Sequence, residues 1–558
     1  MAIIESTKFD EKASKKVSEL TYGSKWPVVY VINNHEEAYI GETVDATRRT
    51  EQHLQNKEKS SLDNISIISD DTFNKSVIQD LEAFLIKYMS ADGKYKLQNG
   101  NNGISIHNYY NRDYYEKGFT GIWEQLKNND LVVNDLDIIE NSDLFKYSPY
   151  KELTYDQYKV VENIIVKLAE GREEGKGNTF MINGCAGTGK TVLAVYLMKF
   201  LTEAKEHVIS YEEIDDPGVK YINEASNKLG ELKIGLVIPQ QSLRKTLKSV
   251  FNNIRGLSAD MIISPLQVPN DSYDLLIVDE AHRLRQRRAL SQYPAFDKNN
   301  NKLGLDKSGT ELDWILMCSK SQLFFYDAFQ SVKPSDINRK EFYKLINSGN
   351  YWNYELTSQL RCEAGDYYID YIKNIFSDNP PEKKRSFESY DLKMFKDVNE
   401  MVIAIKEKEN DYGLCRVVAG YSWKWVTNPT YTKKHPSNKQ DHDIEIDGNK
   451  YIWNTTNVDW VNSENSINEI GCIHTVQGYD LNYVGIIIGK EIDYNPITDR
   501  IEVEKKKYKD QTGKTSTDGE EFRNYILNIY ITLFTRGIKG AYVYVCNDRL
   551  REYLKQYI

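Results

Sequence analysis

The sequence predicts a multi-domain α/β protein, with a small mixed α/β domain followed by two domains built on parallel sheets. Three observations lead there. The chain has 558 residues, too many for one core when a domain usually takes roughly 100–200. Short apolar runs at 179–182, 234–238, 273–278 and 322–326 end in glycine or polar residues, as strands of a buried parallel sheet do. Ahead of them, two β-patterned runs at 26–32 and 37–43 are joined by Asn33-Asn34-His35-Glu36, which reads as a hairpin. The boundaries expected from these patterns are 1–105, a helical connector at 106–150, then 151–345 and 346–558.

Composition narrows the function classes. With 40% hydrophobic and 28% charged residues the chain reads as globular and soluble. No apolar run approaches the ~20 residues of a membrane helix, and the N-terminus lacks the hydrophobic region of a signal peptide. Six cysteines are scattered without a CxxC pair, which supports neither a zinc ribbon nor a disulfide framework. A cytoplasmic location is expected. The net charge of −10 argues against coating nucleic acid by bulk attraction, while leaving room for a basic groove on an acidic body.

The run Gly184-Cys185-Ala186-Gly187-Thr188-Gly189-Lys190-Thr191 fits a nucleotide-binding P-loop at every defined position. It lies between a strand-like and a helix-patterned stretch, as that motif requires. Gly184, Gly187, Thr188 and Gly189 would turn backbone N–H groups toward a phosphate chain at a helix N-terminus. Lys190 would reach the β/γ-phosphates and Thr191 would hold Mg²⁺. The run Tyr273-Asp274-Leu275-Leu276-Ile277-Val278-Asp279-Glu280 is an apolar strand ending in paired carboxylates. Asp279 would serve the metal and Glu280 would polarise the attacking water. Gln330, just past the 322–326 strand, would sense the γ-phosphate. Gln157 would hydrogen-bond an adenine edge with its amide.

In this order the motifs resemble superfamily 1 helicases, and specifically the Schlafen-type group, over residues ~151–558. Leu356-Thr357-Ser358-Gln359-Leu360-Arg361, Ile470 through Asp480 with its His474-Thr475-Val476-Gln477-Gly478, and Tyr530 through Arg536 continue the likeness. The resemblance implies two RecA-like lobes, with Arg361 and Arg536 reaching the γ-phosphate from the second. It also implies that Thr475 contacts a nucleic-acid backbone. Trp423 and Trp425 offer either stacking for a single strand or core packing. The interval from Gln240 to Asp279 is short, so the large insertions of processive relatives are missing. ATP hydrolysis with translocation or a clamp is expected rather than strand unwinding.

The N-terminal residues form a second constellation. Tyr30 and Tyr39 lie on the hairpin strands, Arg49 and His53 are one helical turn apart, Glu82 sits on an amphipathic stretch, and Asn99 follows. Phosphodiester hydrolysis needs a hard cation, a guanidinium and proton-transfer groups. Glu82 supplies an oxygen ligand for Mg²⁺ or Mn²⁺, and Arg49 a bidentate phosphate clamp. Tyr30, Tyr39 and His53 supply proton-transfer groups, without deciding which is the base. The order resembles the GIY-YIG nuclease family, with Tyr39-Ile40-Gly41 intact and Val28-Val29-Tyr30 keeping only the tyrosine of the first half. The two resemblances together imply an ATP-driven nuclease or translocase acting on nucleic acid, DNA in preference to RNA, in defence against phage or other foreign DNA. An RNA-acting enzyme, a host repair factor, and an ATP-gated module with an inert nuclease fold stand as alternatives. Oligomeric state is left open.

Overall fold

A computed structural model describes residues 2–99, 109–151, 153–185, 187–202, 225, 227–290, 292–327, 330, 335–337, 339–346, 350–356, 365–427, 441–456, 459–476, 479–510, 514 and 519–558. By internal contacts the chain divides into two units. The first comprises Met1–Val166, Thr191–Leu232 and Leu247–Met261, and the second comprises Lys167–Lys190, Lys233–Thr246 and Ile262–Ile558.

The first unit opens with a mixed five-stranded sheet in the order β1-β4-β2-β3-β5. Its strands are β1 (Ile3–Lys8), β2 (Val28–Asn33), β3 (Glu37–Thr43), β4 (Asn64–Ser69) and β5 (Lys96–Leu97). The expected hairpin is β2–β3, pairing Tyr30 with Gly41 and Ile32 with Tyr39. Helices α1 (Ala13–Ser18), α2 (Ala46–Leu54) and α3 (Lys75–Asp92) complete the module. Asp45 caps α2 by accepting from the Arg48 N–H, and Asn74 caps α3 by accepting from the Val77 N–H, which satisfies first-turn donors. Two cores flank the sheet. One gathers Val28, Tyr30, Ile32 and Ala46, and the other packs Val29, Val31 and Ile40 against Leu81 and Leu85.

Residues 106–150 hold more than short connecting helices. Helix α4 (Arg112–Asn128) buries Phe119, Ile122, Trp123 and Leu126 in the same core as α3. The segment therefore packs as part of the N-terminal module. Sequence polarity hid this because the buried residues occupy a single face amid exposed charges.

The second unit contains two parallel sheets, as expected. One runs β11-β6-β10-β9-β7-β8, with β6 (Thr179–Gly184), β7 (Ile234–Val237), β8 (Ile262–Ile263), β9 (Tyr273–Val278), β10 (Ser319–Tyr326) and β11 (Tyr351–Leu356). The other runs β12-β20-β17-β13-β16, with β12 (Asp391–Met394), β13 (Arg416–Ala419), β16 (Ile470–Gly471), β17 (Leu481–Ile488) and β20 (Gly537–Val545). Two antiparallel pairs stand apart, β14 (Ile444–Ile446) with β15 (Asn449–Tyr451) and β18 (Ile492–Asn495) with β19 (Arg500–Val503).

An asparagine-rich run reads from composition as a loop, yet here it is helical. The asparagine-rich run 297–302 lies in the helix Tyr293–Lys302. Asn300 is buried and donates to the carbonyls of Asp306 and Gly309 while accepting from the Trp314 indole N–H at 2.6 Å. Asn299 donates to the Leu266 carbonyl. These tertiary hydrogen bonds override the weak helix propensity of asparagine.

Candidate functional site

Parallel strands place their C-terminal ends side by side, and ligands of open α/β sheets bind there. Here β10 sits between β6 and β9, so the P-loop, the Walker-type carboxylates and Asp327 emerge together. Gly187 and Gly189 have φ of 89° and 76°, left-handed values that favour glycine. The buried Thr188 hydroxyl donates to the Cys185 carbonyl at 3.0 Å and braces the loop. Lys190 donates to the carbonyls of Gly184 (2.6 Å) and Cys185 (2.8 Å) and lies 3.5 Å from the Asp327 carboxylate. Gln330 is buried and donates to that same carboxylate at 2.6 Å. The expected sensor is therefore wired to Lys190 through Asp327. Thr191 follows Lys190 in the first turn of the helix Lys190–Thr202.

Asp279 is fully buried at the end of β9, and its carboxylate accepts from the Glu280 N–H. Glu280 sits at φ 52°, a strained backbone position of the kind that clusters at functional sites. Its carboxylate lies 3.0 Å from His282 Nε2 and 3.7 Å from Arg283 Nε. Burial pushes the Glu280 pKa up, but His282, Arg283 and Lys190 outweigh it and hold the carboxylate ionised. His282 Nδ1 accepts from the Asp327 N–H, which leaves the ring proton on Nε2, facing Glu280. These groups fit a nucleotide and a hard cation, with a cation for the phosphates and two adjacent carboxylates for metal and water.

Other predicted residues have further duties. Gln157 accepts from the Thr154 N–H while its own N–H donates to the Thr154 hydroxyl, a capping box at the start of the helix Tyr155–Glu173. Its amide oxygen is thus engaged locally. The T-x-x-Q spacing carried that signal. Thr475 is buried, its hydroxyl accepting from the Cys472 N–H and donating to the Cys472 carbonyl. The Arg536 guanidinium is buried and donates to the carbonyls of Thr532 and Tyr479. Trp423 and Trp425 pack against the core that holds Val417 and Ala419, which favours the packing reading. Arg361, Gln477 and Gly478 lie outside the described residues.

In the first unit the N-terminal constellation comes together. The Tyr30 hydroxyl is 2.8 Å from His53 Nε2 and accepts from Arg49 Nε at 3.3 Å. The Tyr39 ring meets the His53 ring edge-on at 5.2 Å between centroids. Burial, then Arg49 and Lys59, push His53 down to about 3, so its imidazole is neutral at physiological pH. Glu82 is half-buried. Burial and the Glu42 carboxylate push it up to about 8, against Lys75, Arg49 and a hydrogen bond from the Glu42 N–H. Asn99 stands outside this group. It accepts from the Ile40 N–H at 3.0 Å and donates to the Ile40 carbonyl at 2.7 Å, holding β3 as another strand would. Among the described residues no group of three or more His, Cys, Asp or Glu side chains could hold a metal. Glu82 would offer a single carboxylate, leaving other positions to water and phosphate oxygens, as Mg²⁺ prefers.

Sequence reading missed Lys59. It is 5% exposed, with Nζ 3.4 Å above the Tyr39 ring and donating to Gln98. Burial first, then Arg255 and Arg49, push it down to about 7. A lysine in a charged run (Lys57-Glu58-Lys59) gives no sequence signal of burial. Tyr479 was missed as a hub. Its hydroxyl is 3.2 Å from that of Thr246 and donates to Asp459, while its carbonyl takes Arg536.

Comparison with known proteins agrees with the P-loop half. A model of the Schlafen group 3 DNA/RNA helicase domain matches residues 177–547, more than half of the chain. The uncharacterized protein YPL245W of Saccharomyces cerevisiae is 27% identical over 440 residues, covering 72% of this chain and 90% of that protein. Among solved structures, an arterivirus nonstructural protein 10 helicase aligns with a TM-score of 0.29 and 14% identity, covering 70% of this chain and 64% of that one. The Pif1 helicase from Bacteroides, in complex with ADP-AlF3 and single-stranded DNA, aligns with a TM-score of 0.25 and 12% identity over 73% of this chain and 95% of its own. Among the described residues no helix is long and apolar enough to cross a membrane.

Proposed function

The chain belongs to the Schlafen group 3 DNA/RNA helicase family, and from that premise we propose that it is an ATP-dependent nuclease. In this reading a helicase-like ATPase moves along or clamps nucleic acid, preferably DNA, and the N-terminal module cuts it. The observation that carries the nuclease half is the convergence of Tyr30, Tyr39, Arg49, His53 and Glu82 from four separate elements.

In the ATPase, Lys190 neutralises the β/γ-phosphates, Asp279 would hold the cation, and Glu280 orients water on the terminal phosphorus. Asp327 and Gln330 report phosphate occupancy through Lys190. A Mg²⁺ ion held there by Thr191 and Asp279 would neutralise phosphate charge.

In the nuclease, Arg49 clamps the scissile phosphate and steadies developing negative charge. Glu82 would hold a cation, which would polarise the phosphate and acidify a water. Tyr30 and neutral His53 share one hydrogen bond and relay the proton that leaves the attacking water. Water oxygen bonds to phosphorus, one ester P–O bond breaks, and a phosphate and a hydroxyl end remain. Asn99 and Lys59 position the Tyr39 strand and ring. Defence against invading DNA is the biological role this pairing of activities fits.

The test is digestion of plasmid DNA and, in parallel, of RNA with Mg²⁺ or Mn²⁺, with and without ATP, by wild type, Lys190→Ala and Glu82→Gln. Cutting that survives Glu82→Gln in full removes the nuclease assignment. Faster loss of RNA than DNA transfers it to RNA.

A further inference from the structure

Strand β7 runs parallel to β9 with Val237 opposite Val278, so the residues that follow the two strands leave the sheet at one edge. Past β9 comes Glu280, the carboxylate proposed to orient the attacking water, and past β7 comes Gln240. One tight turn, Ala281–Arg283, follows Glu280. The Arg283 N–H donates to the Glu280 carbonyl at 2.9 Å, which brings two side chains three residues apart to the same face. The Arg283 side chain is 13% exposed, and its Nε lies 3.7 Å from Glu280 Oε2. Its Nη1 donates to Gln240 Oε1 at 3.1 Å, so one guanidinium touches both strand ends.

The neighbours fix each end of this bridge. Gln240 is buried, and its Nε2 donates to the Ser242 hydroxyl at 2.9 Å, which turns Oε1 toward Arg283. Arg244 holds the same loop by donating to the carbonyls of Ile238 and Pro239. On the carboxylate, His282 Nε2 and Arg283 Nε both approach Oε2, and neither touches Oε1. An approach of 3.7 Å is a charge contact rather than a hydrogen bond, and catalytic contacts of this length tighten in the Michaelis complex.

We infer that Arg283 is a positioning residue for ATP hydrolysis: it orients the Glu280 carboxylate toward the attacking water and takes its own position from Gln240. The inference rests on the role proposed for Glu280 and is independent of the nuclease. Gln240 precedes the helix Gln241–Asn252, whose Thr246 hydroxyl is 3.2 Å from that of Tyr479 in the other parallel-sheet half. A shift of that helix thus reaches Glu280 through two side chains.

The experiment is steady-state phosphate release from ATP with Mg²⁺ by the full chain. Gln240→Met removes the acceptor and keeps the bulk, so kcat is expected to fall about tenfold while KM for ATP stays unchanged. Arg283→Gln lowers kcat at least as far, and the double variant is no slower than Arg283→Gln, because both changes break one chain of contacts. Gln240→Glu keeps the acceptor and most of the turnover. Should Gln240→Met melt early, Arg283→Lys, which keeps the charge and loses the fork, lowers kcat at unchanged KM in its place. Losses that multiply in the double variant, a KM that rises as kcat falls, or an unchanged kcat overturn the inference. Glu280→Gln separates the two readings: it stops turnover if Glu280 orients the water, and turnover at the wild-type rate ends that role and this inference with it.

Discussion

Glu82→Gln separates a functional carboxyl from a structural one, because the two roles give opposite signs of stability. Burial and Glu42 push the Glu82 pKa from 4.5 up to about 8. The folded protein therefore keeps a proton that the unfolded chain loses as pH rises from 4.5 toward 8, and stability falls over that window. At pH 7 the full linkage is about 3 kcal/mol. Because Glu82 is half-buried, solvent screening trims the recoverable part to about 1–2 kcal/mol. Glutamine matches the protonated acid in shape and carries no charge, so Glu82→Gln is expected to stabilise the N-terminal module. The apparent melting temperature of that transition rises by roughly 3–6 °C at neutral pH and converges on wild type near pH 5. Scanning calorimetry of the full chain without nucleotide, at both pH values and with and without Mg²⁺, reads this directly. Mg²⁺ raises the wild-type transition more at the higher pH, since it replaces the proton, and leaves Glu82→Gln unmoved. A variant no more stable than wild type at neutral pH, or equally responsive to Mg²⁺, refutes the reasoning.

Three further outcomes follow from the geometry. Lys190→Ala abolishes ATP hydrolysis, and Arg49→Ala abolishes cutting while ATPase turnover stays at the wild-type rate; phosphate release and plasmid nicking assayed on both variants check the separation. Gly41→Ala places a Cβ against the Tyr30 hydroxyl and ring, so it costs about 1–3 kcal/mol and removes nuclease activity, measured by melting and nicking, with ATPase retained. His53 titrates at about 3, below the ordinary 6.5, so its unfolded form binds the proton first and its contribution to stability is lost only as pH falls below 6.5. The nicking rate accordingly shows no inflection at the usual histidine pKa, and a step near 6.5 that disappears in His53→Gln contradicts the assignment.

The P-loop, the paired carboxylates and the strands that deliver them were legible because each is a contiguous run with a fixed backbone requirement. Tyr30, Arg49, His53 and Glu82 stand out through the family order their spacing resembles, and hydrogen bonds bring the first three together across elements distant in sequence. What stayed hidden depends on partners the sequence does not announce. Lys59 is buried by Tyr39 and Gln98, and Lys373 meets Cys185 from far along the chain. Asn300 holds a helix in place through Trp314, Asp306 and Gly309, which an asparagine-rich run reads as a loop. Gln157 carries two signals at once, since the T-x-x-Q spacing that suggests a ligand contact also forms a capping box. Local patterns with one mechanical meaning were readable, and residues whose role comes from tertiary neighbours were not.

Within the second unit, three contacts among the described residues link elements of the two parallel-sheet halves. Lys373 meets Cys185, Thr246 meets Tyr479, and Arg288 pairs with Glu521 through two contacts of 3.2 Å. The first touches the phosphate loop itself. The second reaches the residue just after the 474–478 motif, and the Tyr479 carbonyl takes Arg536. A change of charge on the P-loop thus acts on Lys373, while any rotation of one half against the other must repack the Thr246–Tyr479 hydroxyl pair and the Arg536 anchor behind it. Coupling between nucleotide and nucleic acid needs an element with two arrangements that both sites bias. Tyr479 meets the structural part of that condition, since its hydroxyl and its carbonyl bind opposite halves. Removing only the hydroxyl, with Tyr479→Phe, is therefore expected to leave basal ATP turnover intact and to reduce its stimulation by single-stranded nucleic acid several-fold. Unchanged stimulation would show that the hydroxyl pair is packing and that coupling runs elsewhere.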